Sequence, residues 1–112
     1  MTAWDSKDID GFVDHFALDA TWKINTSPLV QGKEGLKGLT ELVMNLAKSS
    51  RHFDLREFVS GKTICVHGSV EYSYEAEDKP NVVCTFCDVF EMNDEGKIQA
   101  AVTYMDTSPT MA

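Results

Sequence analysis

Asp88, Asp106 and His52 are the residues of this chain whose types and settings could move a proton. Asp88 lies in the run "CTFCDVF", and on a strand it shares one face with Phe86, Phe90 and Met92. A carboxyl between two phenylalanines either finds hydrogen-bond donors or keeps its proton, because desolvation penalises the charged form. Either state serves in a pocket; the competing role is an acid satisfied by its neighbours or turned to water. Asp106 closes "VTYMDTSP" in strict alternation with Val102 and Tyr104, while Thr103 and Met105 point the other way. A bulge would exchange the two faces. Its plainer role is a solvated strand end or a cap for the turn into Ser108-Pro109. His52 follows Arg51 at a helix-to-strand junction, where an imidazole can be acid, base or hydrogen-bond donor near neutral pH, or a packing residue.

Other chemistries find less support. Cys84 and Cys87 have the spacing of half a zinc or redox site, but residues three apart on a strand point to opposite faces. A second Cys-x-x-Cys is missing, so packing as small hydrophobes is the expectation, with no metal. There is no nucleophile elbow, glycine-rich phosphate loop or HExxH, and hence no support for a cofactor.

The elements that must position these residues follow from periodicity. Ile9, Phe12, Val13 and Phe16 repeat at helical spacing with Asp8 as N-cap, predicting a short helix over 8–17. Trp4 can close an earlier helical turn. A strand is predicted over 20–24, and "NTSPLVQG" is a loop. Leu36, Leu39, Leu42, Val43 and Leu46 form the apolar stripe of the main helix, 33–48, whose Gly35 and Gly38 imply close backbone packing. Beyond it the period becomes two, predicting strands over 52–60, 63–74, 82–93 and 97–106, with tight turns at 60–62 and 93–96. Helices followed by an antiparallel meander describe an α+β domain, with helices covering one face of a curved sheet.

Length and composition fit one domain over residues 1–112. Hydrophobic residues at 43% and charged residues at 25% are a balance that folds without a partner's help. A net charge of −8 repels phosphate backbones and anionic lipid, so no nucleic-acid or membrane partner is expected. The N-terminus lacks the character of a targeting segment, and three cysteines suit a reducing compartment. A cytoplasmic location is the expectation.

In order and spacing, "DIDGFVDHFALDATWKI", "LVQGKEGLKGL", "FCDVFEMNDEGKI" and "VTYMDTSP" resemble the nuclear transport factor 2-like superfamily, within it the SnoaL-like group of polyketide cyclases and ketosteroid isomerase relatives. The likeness spans nearly the whole chain. It implies a cone-shaped, curved antiparallel sheet wrapped around N-terminal helices, usually a homodimer, with an apolar pocket at one end. Asp88 matches the position where ketosteroid isomerases keep a protonated aspartate that donates to an oxyanion. Their general base would fall at Ile24 and Asn25, which carry no carboxylate, and their tyrosine before Met1. Asp106 looks like the last aspartate of limonene epoxide hydrolases, whose other partners would fall near Gly68 and Val70. No known catalytic set is complete.

The expectation is therefore a cofactor-independent enzyme moving protons on a small apolar, oxygenated molecule: an isomerase, cyclase or dehydratase. Asp88 would be proton donor or oxyanion stabiliser, Asp106 or His52 the base or its tuner, and Asn25 and Tyr104 positioning donors. Phe12, Phe16, Trp22, Leu39, Val43, Phe86 and Phe90 would form the walls. The alternative is a non-catalytic ligand-binding or dimerisation module. A cavity faced by both Asp88 and Asp106 would favour the enzyme; a filled cone, or Asp106 pointing to water, would remove the catalytic reading.

Overall fold

The structure is a computed structural model describing residues 2–76 and 78–111. The N-terminal stretch forms two short helices, α1 (Thr2–Asp5) and α2 (Ile9–Val13), with Trp4 inside the first. Asp8 caps α2 as its sequence requires, its carboxylate accepting from the Gly11 amide at 3.1 Å. The helix ends earlier than the apolar period predicts. Phe16 instead opens strand β1 (Phe16–Ile24), because the His15 carbonyl accepts from the Ile98 amide and draws the chain into the sheet. Its ring still stacks 5.5 Å from Phe12, so a strand residue completes the helical stripe.

The predicted loop contains a two-residue strand, β2 (Val30–Gln31), before the main helix α3 (Gly32–Met44). Leu36, Thr40 and Met44 are the buried face of α3, while Leu42 and Leu46 face solvent. A buried threonine is tolerated because its hydroxyl donates to the Leu36 carbonyl at 2.7 Å. Close packing at Gly38 is not found: a Cβ there would meet open space.

The remaining chain is the meander β3 (Ser49–Ser60), β4 (Thr63–Ser73), β5 (Val82–Met92) and β6 (Ile98–Met105), then a 3-10 turn over Ser108–Met111. The sheet is curved and open, in the order β2-β1-β6-β5-β4-β3. Its β1–β6 contact is parallel, an addition to the expected antiparallel arrangement. Two irregularities shape it. Between Phe16 and Thr21, β1 carries extra residues against β6. β3 bulges between Phe53 and Arg56, where Asp54 has a φ of 54°. Opposite this bulge Gly68 leaves little room for a side chain: a Cβ would lie 2.6 Å from Cδ2 of the exposed Leu55, which can turn away, and 3.2 Å from the Phe53 carbonyl, which must shift. No helix among the described residues is long and apolar enough to cross a membrane.

Two buried clusters fill the concave side. One joins Trp4, Phe16, Ala20, Trp22, Leu36, Met44 and Ala101, with Phe12, Leu39, Val43 and Phe90 packed against it. The other joins Val70, Cys84 and Phe86, flanked by Val66, Tyr72 and Met105.

Candidate functional site

Register decides which side chains reach the concave face. On β5, Cys84, Phe86 and Asp88 are buried, and on β6 Ala101 and Thr103. The pairs Asp88 with Thr103 and Phe86 with Met105 align the inner rows of the two strands. Tyr104 pairs with Cys87 on the outer face and is 56% exposed, so it is not a pocket donor. Asp106 follows the same alternation outward. Its Oδ1 accepts the Ser108 amide at 3.1 Å and hydroxyl at 2.7 Å, and these bonds hold its carboxyl below the ordinary value. The aspartate expected as Asp88's partner is an exposed turn cap.

Asp88 is only 7% exposed. A directed chain of donors reaches it: Trp22 Nε1–H donates to Thr103 Oγ1 at 3.0 Å, and the Thr103 hydroxyl donates to Asp88 Oδ1 at 2.7 Å. Burial pushes the carboxyl from 3.8 up to about 6, against the opposing pull of the Thr103 bond. Among the described residues Oδ2 has no hydrogen-bond partner, so a proton on this carboxyl would sit on Oδ2 while Oδ1 accepts from Thr103.

His52 faces inward from β3, opposite Val70, and its ring stands edge-on to Phe86 at 5.4 Å. Burial lowers its pKa, partly offset by the bond and charge of Asp5. That aspartate closes α1 and lies 2.6 Å from His52 Nδ1. Among the described residues His52 Nε2 makes no hydrogen bond.

Asp88 and His52 are not neighbours. Cys84 shares His52's row across β4, and Asp88 lies four residues further along β5, about 13 Å of strand. Phe86 stands between them. The structure therefore holds two polar side chains on either side of one buried aromatic ring. Tyr72 is within electrostatic reach of both ends: burial first, then Cys84, Tyr74, Asp88 and Asp5 push its phenol well above the ordinary range, keeping it a donor. Its hydroxyl meets Met105 Sδ at 3.8 Å.

The expected wall residues divide into two groups. Phe12, Phe16 and Trp22 form a ring cluster with Trp4, at centroid distances of 5.0–6.2 Å, and Leu39 and Val43 pack on it. Phe86 and the half-buried Phe90 flank Asp88 along the strand. Asn25 is committed to the backbone: its side-chain amide donates to the Met105 carbonyl at 3.0 Å and accepts the Met105 amide at 2.8 Å. It extends the β1–β6 pairing and is not free as a positioning donor. Sequence reasoning passed over Asp5, Tyr72 and Thr103. Thr103 had a usable signal, since alternation sets it opposite Asp106 and a buried Asp88 requires a donor.

Cys84 is buried and Cys87 half-buried on the outer face, so the strand separates the two sulfurs as expected. Two cavities lie elsewhere. One of about 460 Å³ is bounded by Phe16, Leu18, Lys33, Glu95, Lys97 and Gln99, among others, and one of about 10 Å³ lies beside Trp4, Ser50 and Tyr72.

Comparison with known proteins accords with this architecture. A crystal structure of a protein from Catenulispora acidiphila with a ketosteroid isomerase-like fold, in complex with trimethylamine, superposes with a TM-score of 0.83 at 13% identity, over 96% of this chain and 82% of that one. A protein from Xanthomonas campestris assigned as a polyketide cyclase gives 0.78 at 19% identity, covering 94% and 83%. SalBIII, an epoxide hydrolase/cyclase-like enzyme in pyran ring formation in the polyether salinomycin, gives 0.77 at 19%, covering 96% and 85%. At such identities the likeness shows the fold. No curated protein matches the chain by sequence. The profile of the SnoaL-like domain matches residues 1–101, and the chain belongs to that family, within the nuclear transport factor 2-like superfamily.

Proposed function

We propose that the protein is a cofactor-independent enzyme that moves protons on a small apolar, oxygenated molecule, as an isomerase, cyclase or dehydratase. The observation that carries this reading is Asp88: a buried acid with one oxygen anchored through Thr103 to Trp22, and the other without a partner among the described residues. A pKa of about 6 leaves about a tenth of the Asp88 carboxyls protonated at pH 7, so a donor form is present and its fraction grows as pH falls toward 6. His52 Nε2 is the base in this scheme, in place of Asp106. The SnoaL-like family and the cyclase-type neighbours support the same reaction class. We also propose that two copies pair through the outer sheet face, where Phe58, Val83 and Tyr104 are exposed.

A second reading, a ligand-binding or association module without chemistry, is favoured by the two outcomes set against catalysis above: buried side chains fill the concave side, and Asp106 faces water. The enzyme reading loses the scheme that pairs Asp106 with Asp88 and rests on Asp88 and His52 alone.

Binding of substituted phenols separates the readings at Asp88. Phenolates mimic an enolate oxygen, and the combined fluorescence of Trp4 and Trp22 reports occupancy. Saturable binding that strengthens with phenol acidity and falls at least 10-fold in Asp88→Ala supports an oxyanion donor. Binding indifferent to Asp88, or none, overturns it.

A further inference from the structure

We infer that Asp5 is a positioning residue, fixing His52 in the tautomer whose basic nitrogen is Nε2. The inference rests on the reading of His52 as the base. Three groups converge on the Asp5 carboxylate: the His52 backbone amide donates to Oδ2 at 2.9 Å, the Ser50 hydroxyl donates to Oδ1 at 2.9 Å, and the His52 ring nitrogen Nδ1 lies 2.6 Å from Oδ1. The amide can only donate, so it holds the carboxylate at a fixed angle to the ring.

A neutral imidazole has one N–H and one lone pair, and a carboxylate only accepts. The contact therefore places the hydrogen on Nδ1 and the lone pair on Nε2. Among the described residues Nε2 has no hydrogen-bond partner, so its lone pair is left uncommitted. Among the described residues the ring is bounded by Phe86 from β5 and Val70 from β4, and Asp5, from α1, is the charged group in contact with it. Its neighbour Trp4 is buried, with its ring 5.0 Å from Phe12 and 6.0 Å from Trp22, so the core anchors the helix that carries Asp5.

The consequence for proton transfer is direct. When a ligand X–H bond breaks heterolytically, its electron pair stays on the ligand and the proton bonds to Nε2. The Nδ1–H to Oδ1 hydrogen bond then becomes an ion pair, which stabilises the imidazolium. Asp5 touches no ligand and acts through His52.

Two-bond proton–nitrogen correlation spectra of the 15N-labelled full chain test this without a substrate. At pH 8 the expected His52 pattern is the Nδ1–H tautomer; an Nε2–H pattern overturns the inference. Asp5→Asn should give a mixture of tautomers and move the His52 titration midpoint to lower pH, since both the bond and the charge of Asp5 raise it. An unchanged tautomer in that variant also overturns it, because a carboxylate serving only to hold α1 would leave the ring's proton where it was. Ser50→Ala keeps the Nδ1 contact and should keep the tautomer. If Asp5→Asn fails to fold, the parent spectrum decides alone. Phenol binding reads Asp88, so an Nε2–H ring with intact phenol binding removes the role of Asp5 and leaves the function at Asp88 standing.

Discussion

Asp88 and Asp106 sit on or beside adjacent strands, yet the fold treats them in opposite ways. Asp88 enters the sheet on the inner row, surrenders its hydration and keeps one hydroxyl donor, so its acidity weakens. Asp106 leaves β6 on the outer row and gains an amide and a hydroxyl at the next turn, so its acidity strengthens. The difference lies in strand parity together with the donors each face supplies. A carboxylate in an apolar sequence setting becomes a chemical candidate only where alternation, register and burial agree.

Stability against pH gives the largest contrast. Asp88 binds its proton more tightly in the folded state, at about 6 against an ordinary 3.8, so the folded protein loses stability as pH rises through that window. Asp88→Asn removes the ionisation, and at pH 8 it should be more stable than the parent by about 3 kcal/mol, the gap closing below pH 4. Urea unfolding across pH reads this, and a constant gap would break the comparison.

Thr103→Val should come next. It strands Trp22 Nε1 and strips Asp88 of its donor, costing about 1–3 kcal/mol and raising the Asp88 midpoint further. An unmoved midpoint would show that Thr103 does not hold the carboxylate. Gly68→Ala should cost about 1–2 kcal/mol through the contact with Leu55 and the β3 bulge, while leaving both aspartate titrations in place. It separates packing damage from electrostatics. Asp106→Asn should have the smallest effect and the opposite sign to Asp88→Asn. Its folded acidity is strengthened, so it stabilises above the ordinary value and the benefit disappears as pH falls through the folded midpoint. The check is whether its unfolding curve falls slightly below the parent at pH 7 and merges with it in acid.

The meander, the main helix and the N-cap at Asp8 were legible because period and capping chemistry are local. The end of α2 was not, since Phe16 satisfies the helical stripe and only the distant pairing of His15 with Ile98 shows that it belongs to a strand. At the site, Asp88 stood out as an acid among aromatics, and Cys84 and Cys87 were separated by parity alone. The faces of β6 were harder. Val102 and Tyr104 are as apolar as Ala101 and Met105, so hydrophobicity did not say which row faces in, and Tyr104 and Asp106 were placed on the wrong one. Asn25 suits a ligand by type, but its role depends on Met105, 80 residues away in sequence. Asp5 meets His52 only because Trp4 pins α1 against the core, a tertiary contact with no spacing signal.

A carbon-detected NMR titration of the side-chain carboxyls, with Asp88→Asn and Asp106→Asn to assign them, tests the central claim most directly. The account predicts a midpoint of about 6 for Asp88 and one below 3.8 for Asp106. An Asp88 midpoint at or below 3.8 would mean a solvated or fully paired carboxylate and would contradict the proton-donor role.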